Sequence, residues 1–423
     1  MARKQPSVPV TTPANLDFPV FAQPVPTADP TKFTVHHPSD GPAYAEIDKL
    51  NSEHKLLPMP FPNPRGLPEP RLTLALVLDR PGADAAITAT GQIVFHALGD
   101  TGNTRGPKPQ SLVADKMVSD FQENDPKDLP QFCFHLGDVI YSFGEAQYYY
   151  DQFYEPYREY AAPILALAGN HDGMVAPGTG ATTLAAYLDN FCQEKFVVTP
   201  EAGGLSRTAQ IQPGVFFTFE APFVRILALY SNTLEDPGVI SNDQIGRSQL
   251  DYLEAALKRV KSENYQGALI IAHHHPAYTA GSVHGWSIDL LAQVDEICTA
   301  TGVWPHAVLS GHAHNYQRFN RSHGAMQIPY LIAGNGGHGI ARLSAHGGVP
   351  LRVPTVIQAA KDKTDQVVLE SYDDQDYGYL RVIATATQLR IEYHPATDGA
   401  AAKTPDDFVT VDLATRKLVH FTG

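Results

Sequence analysis

Five short apolar runs in this chain end in side chains able to grip a cation. In order they are Gly99-Asp100-Thr101-Gly102, Gly137-Asp138-Val139-Ile140-Tyr141, Gly169-Asn170-His171-Asp172, His273-His274-His275-Pro276 and Gly311-His312-Ala313-His314. Carboxylate, amide, phenol and imidazole are hard oxygen and borderline nitrogen donors, which suit Fe, Zn, Mn or Mg better than Cu(I) or an iron–sulfur cluster. Thiolate does not enter. Cys133, Cys192 and Cys298 lie far apart in apolar surroundings, and buried structural thiols are expected. One Gly-Asp pair usually marks a turn. Five such motifs at strand ends point to a metal centre, because ligands in open α/β sheets gather beyond the carboxyl ends of the strands. The adjacent glycines are expected to let the chain turn sharply and aim the next side chain inward.

The elements that must position these residues are visible as well. Runs such as QIVFHALG, QFCFHLG, ILALAG, VRILALYSN, GALIIAHH, AVLSG and YLIAG read as buried strands. Helical patterns lie between them. The clearest is SNDQIGRSQLDYLEAALKRVKSEN, with Ser241 and Gln244 at capping-box spacing and Leu250, Leu253 and Leu257 at helical intervals. Others are predicted at 109–123, 181–195 and 287–300. Alternating strands and helices give a layered α/β fold. After residue 375, YGYLRVIA and LRIEYHP read as sheet-edge hairpins of the same domain. The first 70 residues hold 15 of the 34 prolines, which excludes a long helix or a central strand there. Residues 1–70 are predicted to be an extended arm and 71–423 a single catalytic domain.

In this order the motifs resemble the calcineurin-like metallophosphoesterases, and more closely their purple acid phosphatase branch. Ordinary members begin with Asp-x-His, whose histidine binds the first metal. Here that place is Asp100-Thr101-Gly102, so the histidine is missing. Purple acid phosphatases lack it too and use a tyrosine three residues after the bridging aspartate, the spacing of Tyr141 from Asp138. The resemblance spans roughly residues 91–340. It implies an α/β/β/α sandwich in which two packed mixed β-sheets are flanked by helices. It also implies a first metal held by Asp100, Asp138, Tyr141 and His314. Asp138 would bridge to a second, completed by Asn170, His274 and His312. His274 is chosen over its neighbours because the family pattern is His-x-Pro and Pro276 sets the register. His171 would face the phosphate. His284 resembles a substrate-facing acid of some branch members.

Two metals about 3.5–4 Å apart can clamp attacking and leaving oxygens and acidify a bound water. The implied reaction is hydrolysis of a phosphate monoester through a metal-bound hydroxide. His171 and His284 are the candidate proton donors to the leaving oxygen. A phenolate favours a trivalent ion, so Fe(III) is expected beside Tyr141 and Fe(II), Zn or Mn at the second site. A phosphodiesterase or nucleotide-directed hydrolase would use the same centre, since pocket walls make that choice. A catalytically silent metal- or phosphate-binding protein is the reading from another class. His96 and His135 are expected in the core. His338, in a Gly-rich loop, and Arg318 and Arg321 could each line the site or serve structure alone.

Composition narrows the partners. With 43% hydrophobic residues the chain can bury a substantial core. A net charge of −14 argues against a nucleic-acid or anionic-membrane coat. It says little about a small phosphate ester, because bound cations dominate the field at such a centre. The basic start of the chain is followed by no apolar h-region, so a cytoplasmic protein is expected.

Overall fold

The apolar runs become strands because both of their faces are covered, as the lack of polar alternation requires. In Ala268–His273, for example, Ala268, Ile270 and Ala272 face one hydrophobic layer while Leu269 and Ile271 face another. A computed structural model describes residues 42–53, 55–281, 284–343, 350–357, 365–397 and 403–421.

Two mixed sheets pack face to face, with helices on their outer sides. The seven-stranded sheet runs Lys417–Leu418, Asp407–Asp412, Gln388–Pro395, Gly378–Thr385, Gln92–Leu98, Pro130–His135, Ile164–Ala166. The other has nine strands among the described residues and centres on Val224–Leu229, Ala268–His273 and Ala307–Ser310, which are parallel neighbours. Gln92–Leu98, Pro130–His135 and Ile164–Ala166 are likewise parallel. Between the sheets lie Phe95, Phe132, Phe134, Phe217 and Phe219, with Phe95 stacked on Phe132 at 4.6 Å and Phe132 edge-on to Phe219 at 4.9 Å. Each such buried side chain stabilises the fold by roughly 1.5–3 kcal/mol. Cys133, Cys192 and Cys298 are buried free thiols. Among the described residues no helix is long and apolar enough to cross a membrane.

Several local expectations shift. The helix expected from Ser241 starts at Ser248. Asn242 forestalls it by accepting hydrogen bonds from the Gln244 and Ile245 amides, and Gly246 turns at φ +70°. Leu250, Leu253 and Leu257 are nevertheless its buried face. The helix expected at 181–195 contracts to Ala185–Phe191, because Leu184 is left-handed (φ +63°) and Cys192 bridges to Ile211. The hairpin after residue 375 is not at an edge. Gly378–Thr385 pairs with Gln92–Leu98 on its other side, and Leu380, Val382 and Ala384 fill the intersheet layer.

The proline-rich segment also holds a helix, Pro42–Ser52, whose only proline sits at its first position, where no amide donor is needed. Residues 55–70 run along the body. There the Asn232 side chain pairs with the Met59 backbone, and Arg65 donates to the carbonyls of Cys192, Gln193 and Gln212. Residues 1–41 of that segment lie outside the described residues.

Arg318 and Arg321 prove to be structural. Arg318 donates twice to Asp407, at 2.7 and 2.9 Å. Arg321 is 1% exposed and holds Asp295 and Asp365 together. Removing it leaves the buried Asp365 with only His323 and the part-exposed Asp295 unpaired, so Arg321→Ala should cost about 3–5 kcal/mol. Denaturant unfolding checks this, and turnover per folded molecule should stay unchanged.

Candidate metal centre

The parallel strands of both sheets deliver their carboxyl ends to one edge, and hydrogen bonds between the sheets fix the register. Gly99 N–H donates to the Ala333 carbonyl, His274 Nδ1–H to the Leu136 carbonyl, and the His312 amide to Asp100 Oδ2 at 2.7 Å. The glycines act differently from expectation. Only Gly137 of those before the first ligands turns left-handed (φ +96°). Asp100, Asp138 and His312 carry positive φ themselves (58°, 55°, 67°). Gly169 and Gly311 are needed for close approach: a Cβ on either would strike the carboxylate of Asp138 or Asp100.

The residues expected at the first metal position meet. Tyr141 Oη lies 3.0 Å from Asp100 Oδ1, 2.9 Å from Asp138 Oδ2 and 3.2 Å from His314 Nε2. One phenolic proton cannot serve both carboxylates. Burial drives Asp100 up to about 7, opposed by the charge of His274. Burial opposes ionisation of Asp138 as well, but His274 and His171 outweigh it and hold that carboxyl low. Burial, with both carboxylates beside it, holds the Tyr141 phenol well above its usual range. Such a cluster is repulsive unless a cation sits in it.

The residues expected at the second position converge beside it. His274 Nδ1–H donates to the Leu136 carbonyl at 2.8 Å, which leaves Nε2 aimed at Asp138 Oδ2, 3.1 Å away. Its neighbours are committed elsewhere. His273 bonds the His275 carbonyl, and His275 uses both nitrogens, on Ser231 and the Leu234 carbonyl. Asp138, His274 and His312 each offer one ligand atom within 4.8 Å of the others. The buried His312 Nε2 and both amide atoms of Asn170 have no hydrogen-bond partner among the described residues, and His274 Nε2 meets only the Asp138 and Asp100 carboxylates. Donor atoms left bare in a buried site fit a divalent ion.

Matching residues 94–316, over half of the chain, is the family model described as calcineurin-like phosphoesterase. The chain belongs to that family. Membership makes it a metal-dependent phosphoesterase. No curated protein matches the chain significantly. Similar solved structures include GAP50, the anchor in the inner membrane complex of Plasmodium, at 14% identity and TM-score 0.49, covering 76% of this chain and 89% of that one. PhoD matches at 15% identity and TM-score 0.46, with 81% and 73% covered. A conserved protein of Streptococcus pneumoniae described as a predicted phosphoesterase matches at 10% identity and TM-score 0.24, with 72% and 91% covered.

Around the centre of this calcineurin-like phosphoesterase opens a cavity of about 690 Å³, lined among others by Tyr44, Asp48, Arg105, Glu235, Asp236, His284, His314 and His338. His171 Nδ1 bonds the Ser142 carbonyl at 2.7 Å, and its Nε2 lies 3.7 Å from Glu235. Burial lowers its pKa, but Asp138 and Glu235 overcome that and raise it. The His284 ring stands 4.5 Å from His312 and 5.1 Å from His314; Val283 before it lies outside the described residues. His338 stacks on Tyr141 at 3.6 Å and bonds the Gly102 carbonyl. His96 and His135 are buried on Asp120 and Thr101 respectively.

Sequence reasoning passed over four contributors. Asp172 accepts from the amides of Gly169, Val139 and Ile140 and so ties two ligand loops together. Gln152 brackets Tyr141 through both its N–H and C=O. Asp172 stood inside a motif already quoted; Gln152 carried no signal. Tyr44, from the proline-rich segment, lies against His171 at 5.5 Å and donates to Glu235 at 2.7 Å. Asp236, which lines the cavity, stands in an Asp-Pro pair, and such pairs ordinarily mark turns and carry no ligand signal.

Burial disfavours the charged form of His274, yet Asp138 and Asp100 raise it to about 10. A metal ligand must give up that proton, so affinity should rise with pH up to about 10 and binding should release protons. Calorimetry in buffers of differing ionisation enthalpy should show release near neutral pH; none would contradict His274 as a ligand.

Proposed function

We propose that this phosphoesterase hydrolyses small phosphate monoesters at a two-metal centre of the purple acid phosphatase type. One observation carries the reading: the Tyr141 phenol meets Asp100, Asp138 and His314 where ordinary relatives place a histidine. In this reading Asp100, Asp138, Tyr141 and His314 hold Fe(III). Asp138, Asn170, His274 and His312 hold Fe(II), Zn or Mn. Such ions, when bound, supply an acidified water and positive charge for the phosphoryl group.

The remaining work falls to side chains. His171 is fixed by Ser142 and kept protonation-prone by Asp138 and Glu235, so it can donate to a phosphate oxygen or to the leaving oxygen. His284, across the cavity, is the second candidate for that role. Arg105 is the only permanent cation among the described lining residues, against the carboxylates of Asp48, Glu235 and Asp236. A polyanionic polymer would meet repulsion at that mouth, which favours a small ester.

Metal analysis with a visible spectrum tests the iron assignment. A phenolate–Fe(III) charge-transfer band is expected, and Tyr141→Phe should abolish it. A colourless protein holding two Zn or Mn ions would sink the iron reading alone. Aryl monoester should turn over faster than bis-aryl diester, and the reverse order would reassign the enzyme as a diesterase. Asp138→Asn should empty both metal positions; full stoichiometry in that variant would contradict a bridging role.

A further inference from the structure

Asp236 and His284 stand at the mouth of the cavity, outside the ligand set that the resemblance implies. With His312 they form a second trio whose ligand atoms all lie within 4.8 Å of one another. Asp236 Oδ1 is 3.5 Å from His312 Nε2, and Asp236 Oδ2 is 3.9 Å from His284 Nδ1. Neither distance makes a good hydrogen bond. Both approach the spacing of donors around one shared ion: bonds of about 2.1 Å place neighbouring ligand atoms roughly 3–3.5 Å apart.

Two atoms of the trio are conspicuously bare. His312 Nε2 and Asp236 Oδ1 are buried without a hydrogen-bond partner, and the His312 side chain is only 2% exposed. The Gly285 amide donates to the Asp236 carboxyl, so the loop carrying His284 also steadies Asp236. A solvated rim carboxylate would instead be expected to turn outward and pair with water or Arg105.

His312 belongs to both trios, and one imidazole nitrogen binds one cation. Through its bare Nε2, 3.5 Å from Asp236, the two groups can converge on a single ion. We infer that Asp236, with His284, completes the coordination of the cation held by His312, on the side facing the cavity, which leaves His171 alone as the proton donor. This rests on the two-metal reading above. It gives the second position a carboxylate of its own, where the implied set supplies only the shared Asp138. A harder donor set of that kind shifts preference from Zn(II) toward Mn(II).

Metal titration of the purified full-length protein tests the assignment without reference to turnover. Mn(II) and Zn(II) are titrated into metal-depleted wild type, Asp236→Asn and His284→Gln, with stoichiometry from elemental analysis and folding checked by circular dichroism. Asp236→Asn should weaken the second Mn(II) about 10- to 100-fold and the second Zn(II) less, with the first ion unaffected. His284→Gln should weaken the second ion as well, and it guards against a folding defect peculiar to Asp236→Asn. If both variants bind the second ion as wild type does, Asp236 and His284 are substrate-facing only and the inference is overturned while the two-metal centre stands. If wild type takes up no second ion, both readings fail together.

Discussion

The whole site depends on two carboxylates and a phenol forced together where water cannot screen them. Asp100 and Asp138 are fully buried, and a single phenolic proton is placed between them. In a medium of low polarisability such crowding is costly, and a cation is the one partner that turns it favourable. Other features follow from holding these groups in place. Glycine is required at 169 and 311 because nothing larger clears the carboxylates. Asp100, Asp138 and His312 accept left-handed backbone, at roughly 1–3 kcal/mol each, because two packed sheets leave them no alternative.

The mouth obeys a different logic from the floor. The floor gathers anionic and imidazole donors for metal. The walls mix carboxylates, histidines and one arginine, and one wall comes from a helix well outside the catalytic strands. Tyr44 on that helix bonds Glu235 and covers a flank of His171, while Ala43, Tyr44 and Ile47 pack on Phe143, Met174 and Ala176. The room left for a leaving group is therefore set partly by the proline-rich segment, and the donor set does not determine it.

The sheets and the clustering of the candidate metal-facing residues were readable because each signal was local and repeated. Continuous apolar runs mark strands covered on both faces, and a polar residue just past each run marks the functional edge. His274 was separable from His273 and His275 by the proline two residues on, and the structure adds the physical reason: its neighbours spend their nitrogens on backbone carbonyls and Ser231. Less was legible where structure is decided at a distance. Nothing near Pro42 announces that Tyr44 will reach Glu235, 191 residues away. Asp236 carried no signal, since an Asp-Pro pair is an ordinary turn former. The hairpin after 375 looked peripheral because periodicity reports burial and is silent on which strand lies alongside.

One further property follows from how the centre is shared. Asp100, Asp138 and Asn170 come from the seven-stranded sheet, whereas His274, His312 and His314 come from the other, and the Asp100–His312 contact closes a span of 212 residues. A cation held by the proposed ligands would thus be a reversible cross-link between the halves of the molecule. By mass action, ion at a hundredfold excess over its dissociation constant adds about 2.7 kcal/mol to the folded state. Resistance of this protein to heat and proteolysis then becomes a readout of free metal in its surroundings. A metal-starved chain would be short-lived as well as inactive.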